Sequence, residues 1–582
     1  MRQVKQSIAA AVAPLTGFEP STIEGLFKTP DKPQWGDLTL PCFPFARTMR
    51  KAPNDIAAAI AAALAPLPGL AGVTAMGPFV NITLDNRSLA LRLLPSLLND
   101  ASGFGRFTPD KRLSVVIDFS SPNIAKPIAF HHIRSTVLGS ALARVYTSLG
   151  HRVERVNYLG DWGTTQGKLI EAFRRYGDRD TLQRQGIRHL LDIYVRFNQE
   201  AQNDPSLEEH ARQWFVRCEA DDPEALELWR LFRDISMAEF SRIYDLLGVA
   251  FDHIHGESMY HKKADEVFDL AAKNAGATES DGAYVIPLEE ENLPPILLRK
   301  QDGATLYATR DIAAAMDRHE RFGFDRCLYV VASQQALYFQ QLRHALTKLG
   351  FDWADGIVHV PFGMLSIKDP DSGEVSTGST RRGNVVFLED VLNRAMEKVA
   401  DMVRENAGKR DLGLSPEQQA VVTRQVGVGA IIFADLSNRR VNDVVFDWDR
   451  MLSMQGDTGV HVQYTHARCA SMLREARDTD ISAFDPAHYT RPEEHGLLVA
   501  FSRYHEVLLR AAADCEPSYL ADYLLELTKS FGSVYELFKT EGYRFLDDDP
   551  GVRASRMALV KATARMLKEG LAILGIEAPD RM

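Results

Sequence analysis

Between Ser120 and Gly139 the chain reads SSPNIAKPIAFHHIRSTVLG, placing Lys126, His131, His132 and Arg134 around the start of one helical pattern. Unpaired N–H groups and the positive end of the helix dipole lie at such a start. Four cationic or potentially cationic side chains there act with the same sign and suit a polyphosphate. A single histidine at a helix start is more often a cap or a packing residue; two adjacent ones between a lysine and an arginine make the stronger signal. The preceding run, LSVVIDF, is apolar and β-branched. Strand, polar turn and helix N-terminus in that order is how an open α/β sheet forms a ligand crevice beyond the strand's carboxyl end.

The elements that must hold this crevice follow from pattern. Residues 1–107 read as a small α+β unit. PNDIAAAIAAALAP puts Ile56, Ile60 and Leu64 on one helical face, with Asn54 or Asp55 as cap, and GPFVNITLD alternates like a half-buried strand. From 108 to 412 strands alternate with helices: VVIDF, HRVERVNYLG, ATLYATRD and RCLYVVAS predict a parallel sheet with helices on both faces. Residues 166–256 are helical in period and highly charged, an insertion that interrupts the sheet. From 413 to 582 strand signals vanish and successive amphipathic helices follow. The last carries Arg553, Arg556, Lys561, Arg565 and Lys568 on one face, a stripe that solvation alone would explain. Gly427 and Gly429 imitate a dinucleotide loop but sit in helical sequence, and His505-Glu506 lacks the second histidine of a zinc-protease motif.

A chain of 582 residues has room for several cores, and a net charge of −11 argues against coating nucleic acid by bulk electrostatics while leaving local basic faces open. The five cysteines show no metal-ligand spacing and read as reduced, buried thiols of a cytoplasmic protein. No apolar run is long enough to cross a bilayer, and the N-terminal MRQVKQSIAAAVAPLTG reads as an amphipathic helix, not a signal peptide.

SSPNIAKP…HIRST followed by NYLGDWGT resembles the signature region of class I arginyl-tRNA synthetases. The likeness extends through LYATRD, ASQQALYF, FDWDRMLSMQGDTGVHVQYTHAR and the ending LGIEAPDRM. It implies a Rossmann-type parallel-sheet catalytic domain with a helical insertion, an N-terminal α+β domain reading the outer corner of the tRNA, and a C-terminal all-α bundle binding the anticodon stem and loop. The reaction it implies joins L-arginine to tRNA(Arg) through an arginyl-adenylate, with ATP and Mg2+ as substrate, no protein-bound metal, and a monomeric enzyme. Phosphoryl chemistry of this kind rests on alignment and charge stabilisation more than on covalent work by the protein.

Carried over residue by residue, the resemblance puts ATP over Lys126, Phe130, His131 and His132, with Met364, Ser379, Thr380 and Arg381 from a second nucleotide motif. Lys126, His131 and His132 are the candidate catalytic residues. The chain departs from the family's His-x-Gly-His: Ala129 stands for the first histidine and His131 for the glycine, so His131 either supplies the missing imidazole or stacks against the base. The second motif has no lysine in its core, and Lys126 sits where a compensating lysine is expected. A guanidinium is planar with five donors, so its site needs carboxylates set to accept a fork of hydrogen bonds. The likeness assigns arginine binding to Asp118, Asn123, Tyr307, Asp311 and Gln335. RNA contacts need aromatics beside basic residues; Phe79 and Asn81, and Tyr464, His466 and Arg468, are the candidates. The rival readings are a catalytically impaired tRNA-binding paralogue and an adenylate-forming enzyme with another acceptor. The retained arginine set argues against the first, and the two RNA-binding domains against the second.

Overall fold

The computed structural model describes residues 1–99, 103–300, 305–368, 375–376, 386–407, 413–540 and 542–582. At its centre are β1 (Ser114–Asp118), β2 (Arg152–Leu159), β3 (His253–Gly256), β4 (Arg326–Ala332) and β5 (Ile357–Phe362). They lie in the order β5-β4-β1-β2-β3, every pairing parallel. Val115, Val116 and Ile117 of β1 are fully buried, as a strand covered on both faces requires. Strand order reverses between β1 and β4, so the connections leave in opposite directions and open a crevice at the carboxyl ends.

Helix α1 (His132–Ser148) follows β1. A Cβ on Gly139 would come within 2.2 Å of the Phe119 side chain, so glycine is what lets this helix lie against the end of the strand. Helix α2 (Tyr307–Phe322) occupies most of the stretch expected to be a strand. Only Thr305 bridges to Arg299, and the helix starts at Tyr307. Ala308, Ile312 and Ala315, buried at helical spacing, outweigh the strand-like composition of ATLYATRD.

Between β2 and β3 run five helices, Thr164–Tyr176, Arg179–Gln185, Ile187–Ala201, Ser206–Glu219 and Pro223–Leu247. Beyond β3 a small antiparallel sheet of Thr278–Ser280, Ala283–Ile286 and Ile296–Arg299 adds strands that the strand–helix alternation did not indicate. The N-terminal region is a three-stranded antiparallel sheet (Leu38–Pro41, Phe79–Leu84, Leu70–Met76) with the helices Arg2–Thr16 and Pro53–Leu64. Ile56, Ile60 and Leu64 are buried as their spacing predicts. The helix starts two or three residues earlier than expected, with Pro53 as its first residue and Ala52 as its cap.

The C-terminal region contains α3 (Pro416–Leu436) and the helices Gly459–Glu475, Pro492–Ala513, Ser518–Leu537 and Pro550–Leu574. Gly427 lies inside α3, where a Cβ would stand 3.0 Å from the backbone of Met396, so it serves close helix packing. One strand, Val444–Phe446, does occur here and pairs in parallel with Leu365–Lys368. The basic stripe of the last helix is divided in use. Arg556 is buried against Asp547 at 2.8 Å. Arg565 donates to the carbonyls of Leu97 (3.3 Å) and Asn99 (2.6 Å), fastening the end of the N-terminal region's helix Asn86–Leu98.

Candidate active site

The turn after β1 is held in an improbable shape by side chains from three elements. Ser120, Ser121 and Ala125 all have positive φ (70°, 48° and 60°), a conformation non-glycine residues adopt only when the surroundings impose it. Ser120 N–H donates to Ser135 Oγ of α1 at 3.0 Å, and Ser121 N–H to Asn157 Oδ1 of β2 at 3.1 Å. From the insertion helix Pro223–Leu247, Ser236 Oγ accepts from Ala125 N–H at 2.7 Å and the Tyr244 hydroxyl lies 2.8 Å from Ser120 Oγ. The insertion is therefore a wall of the site. Its charged helical pattern carried no sign of Ser236 or Tyr244, because both act only through the fold.

The four groups expected to be cationic behave differently. His132 Nδ1 lies 3.1 Å from the Ala129 N–H, which a neutral ring can accept. Burial pushes its pKa down to about 3, with His131 and Lys126 acting in the same direction. The His131 ring lies 4.2 Å from it and is also shifted down by burial. Both imidazoles are thus neutral hydrogen-bonding groups near pH 7. Arg134 turns away altogether. Its side chain is 1% exposed, its Nη1 donates to the carbonyls of Asn442 (2.7 Å), Gly363 (3.0 Å) and Met364 (3.3 Å), and its Nε sits 3.1 Å from Asp435 Oδ1 of α3. Lys126 keeps its charge accessible: its Nζ stands 5.0 Å over the ring of Tyr194 in the insertion helix Ile187–Ala201.

Phe130, expected over ATP, is buried and packs edge-on against Phe446 at 5.0 Å. Its N–H donates to Val386 O at 2.8 Å, Leu388 N–H to Ile128 O at 3.0 Å, and Ala129 bridges Phe387. Met364 is exposed, its N–H donating to Asp443 Oδ1 at 2.6 Å. Both flanks of the second nucleotide motif therefore return to the start of α1. Ser379, Thr380 and Arg381 lie outside the described residues.

The arginine set divides. Asp311, in the second turn of α2, accepts from the Tyr338 hydroxyl at 2.5 Å, and Tyr338 packs edge-on against Tyr307 at 4.9 Å. Burial pushes Asp311 up to about 6, against the pull of Tyr338, Arg318 and Arg310. Glu257, bonded to Arg310 at 2.8 Å, is pushed up to about 7 by burial, with Asp311 adding to the rise. Tyr307 is exposed, as are Asn123 and Gln335 at the carboxyl ends of β1 and β4. Asp118 is engaged inside the protein. Its Oδ2 is 2.7 Å from Arg318 Nη2 and its Oδ1 accepts from Ser121 Oγ at 2.8 Å, so the carboxylate is committed to an internal guanidinium. Arg318 is fully buried between the faces of Tyr158 (5.1 Å) and Tyr329 (5.2 Å) and requires that partner. Sequence reasoning missed Tyr338, Glu257 and Arg318. The seven-residue spacing of Arg318 from Asp311, two turns on one face of α2, was the available signal.

Among the RNA candidates, Phe79 is exposed and meets exposed Phe43 edge-on at 5.7 Å. Asn81 is buried, its amide 3.0 Å from Met76 Sδ, and His466 is buried with Nδ1 3.1 Å from Pro579 O, so neither presents a base-reading edge. Arg468 lies across the rings of Tyr464 (4.8 Å) and Tyr535 (4.4 Å), and both Arg468 and Tyr464 are partly exposed. All five cysteines are free and buried. No helix among the described residues is long and apolar enough to cross a membrane.

Three family models cover most of the chain: "tRNA synthetases class I (R), catalytic domain" matches residues 94–448, "DALR anticodon binding domain" 462–582 and "Arginyl tRNA synthetase N terminal domain" 2–84. Among curated proteins, the arginine–tRNA ligase of Clostridioides difficile is 40% identical over 96% of both chains. That of Lactococcus lactis is 41% identical over 100% of this chain and 99% of its own. The arginyl-tRNA synthetase structure of Thermus thermophilus shares the fold over 100% of both chains, with a TM-score of 0.82 at 24% identity.

Proposed function

The chain belongs to the arginyl-tRNA synthetase family, and from that premise we propose how its own residues divide the work. The protein ligates L-arginine to tRNA: ATP and arginine give arginyl-adenylate and pyrophosphate, and the tRNA takes the arginyl group with release of AMP.

Asp311 receives the guanidinium, with Tyr307 against it and Tyr338 setting the orientation of the carboxylate. The observation that carries this assignment is geometric: Asp311 is held by the Tyr338 hydroxyl beside Tyr307 and pairs with no cationic side chain among the described residues, so a bound guanidinium would offset the burial that raises its pKa. Asn123 and Gln335 hold the polar ends of the amino acid across the β1–β4 crevice. His131 and His132, both neutral, serve as hydrogen-bonding groups to the nucleotide, and Lys126 supplies the fixed positive charge for the phosphates. Mg2+ enters with ATP, held by the phosphates. Residues 1–107 and 413–582 carry the tRNA, with Phe79, Tyr464 and Arg468 at its surface, and residues 108–412 the chemistry. The enzyme works as a monomer in the cytoplasm.

The paralogue reading loses ground because Tyr307, Asp311 and Tyr338 remain assembled. Aminoacylation of total tRNA with each amino acid in turn tests the proposal. Charging with arginine alone is expected; charging with another amino acid, or with none, would overturn it.

A further inference from the structure

The N-terminal region meets the C-terminal bundle through a directed chain of hydrogen bonds centred on His495, in the first turn of the helix Pro492–Ala513. Asn86, the first residue of the helix Asn86–Leu98, donates from Nδ2 to Tyr489 O at 2.9 Å, which turns its Oδ1 toward His495 Nδ1 at 2.5 Å. On the other side of the ring, Nε2 lies 2.9 Å from Asp37 Oδ1, and Asp37 Oδ2 accepts from the Leu84 N–H at 2.7 Å. Both ring nitrogens therefore face acceptors, an amide oxygen and a carboxylate. Turning the Asn86 amide over would set its oxygen against Tyr489 O. A neutral imidazole has one N–H and would present a lone pair to one of the two oxygens, so the arrangement calls for an imidazolium.

The His495 side chain is 24% exposed and that of Asp37 10%, at the edge of a cavity of about 680 Å3 between the two regions. The other charged groups lining that cavity are paired elsewhere or turned to solvent. Lys5 pairs with Glu506 at 2.8 Å, Arg503 with Glu526, and Lys28 is exposed. The Met1 amine, 2.6 Å from Ser502 O, is held down to about 6 by burial. Asp37 is thus the direct charged partner of His495, and among the described residues it pairs with no other cation. Two acceptors hold the ring's proton while the regions are docked, and water alone holds it when they part. Docking is therefore favoured while the ring is charged and weakens as rising pH removes the proton.

We propose that His495 is a positioning residue for tRNA: as an imidazolium it locks the N-terminal region to the bundle at the angle at which one tRNA reaches both, and loss of its proton relaxes that angle and weakens tRNA binding. This rests on the reading that residues 1–107 and 413–582 carry the tRNA. Phe79 lies on one side of the joint, and Tyr464 with Arg468 on the other, so a change of angle moves one contact set against the other.

The KM for tRNA(Arg) in aminoacylation, at saturating arginine and ATP and from about pH 6 to about pH 9, tests it. In the parent it should rise with pH by about three- to tenfold, the loss of one partly exposed charge-assisted bond. His495→Gln can donate to only one of the two oxygens, so its KM should sit at the parent's high-pH value throughout. Asp37→Asn supplies an amide N–H that a neutral ring accepts, while its oxygen still accepts from Leu84; it should keep the low KM at every pH. The Met1 amine titrates alike in all three proteins and cancels in the comparison. At each pH the KM values for ATP and arginine should match those of the parent. A merely structural link would raise the KM for tRNA in both variants; that result, or a flat profile in the parent, overturns the proposal. Amide hydrogen exchange at Leu84 in the full chain, corrected for intrinsic rates, separates the joint from its use. Faster exchange in His495→Gln with an unchanged KM for tRNA overturns the proposal and places the failure in the tRNA reading on which it rests.

Discussion

At the scale of single residues, the site depends on which carboxylate remains open to a cation. Asp118 and Asp311 look alike in the sequence, yet Asp118 is bound to Arg318 while Asp311, among the described residues, is bonded to a tyrosine hydroxyl and paired with no cation. Asp311→Asn keeps the shape and removes the charge. A charge-assisted hydrogen bond is worth roughly 2–3 kcal/mol, so kcat/KM for arginine should fall by about one to two orders of magnitude while the KM for ATP stays nearly constant. Equal loss for both substrates would show that Asp311 only supports the fold. The raised pKa adds a pH signature. With Asp311 at about 6 before arginine binds, the carboxylate is ionised above that value and must lose a proton to bind below it. The kcat/KM for arginine should therefore be full above about pH 7 and fall by up to about tenfold per unit below pH 6. Tyr338 favours the ionised form by donating to it, so Tyr338→Phe should move this acid limb to higher pH. A profile unmoved by that change would detach Tyr338 from Asp311.

Among the elements, the insertion is the one whose role changed most between pattern and structure. Its helix Pro223–Leu247 shows an ordinary amphipathic period, but Ser236 accepts from the buried Ala125 N–H of the signature turn. Ser236→Ala leaves that N–H without a partner, at a cost of about 1–3 kcal/mol. We expect a lower Tm and, at a temperature where the variant is fully folded, a rise in the KM for ATP larger than that for arginine, because Ala125 adjoins Lys126. Kinetics matching the parent in the folded variant would mean that the turn keeps its shape without this prop. The misread ATLYATRD belongs to this scale too. Eight residues carry too little periodicity to separate a strand from the first turns of a helix; the longer window through Ala315 does so.

Over the whole molecule, Arg134 joins the parts. Its guanidinium reaches from α1 to the backbone at both Gly363 and Asn442 and to Asp435 of α3, so one buried side chain links the signature helix, the base of the second nucleotide motif and the C-terminal bundle. Asp435→Ala strands that charge and should lower stability to denaturant by about 3–5 kcal/mol, read as a shift of the urea midpoint. A shift of less than 1 kcal/mol would show that the carbonyls alone satisfy Arg134.

What the sequence determined without help is the class of fold, the location of the crevice and the family, because these rest on patterns local in the chain: strand, turn and helix at 113–148, apolar periodicity, and several motifs in order. It also named Asp311, Tyr307, Asn123 and Gln335, the residues proposed above to bind arginine. It could not say which charges are free. Arg134 and Asp118 are spoken for by residues 301 and 200 positions away, Asn81 and His466 are buried by packing, and the histidines lose their charge through burial. Charge, exposure and partnership are set by what the fold brings within a few ångströms, and that distance is decided only when the chain has closed on itself.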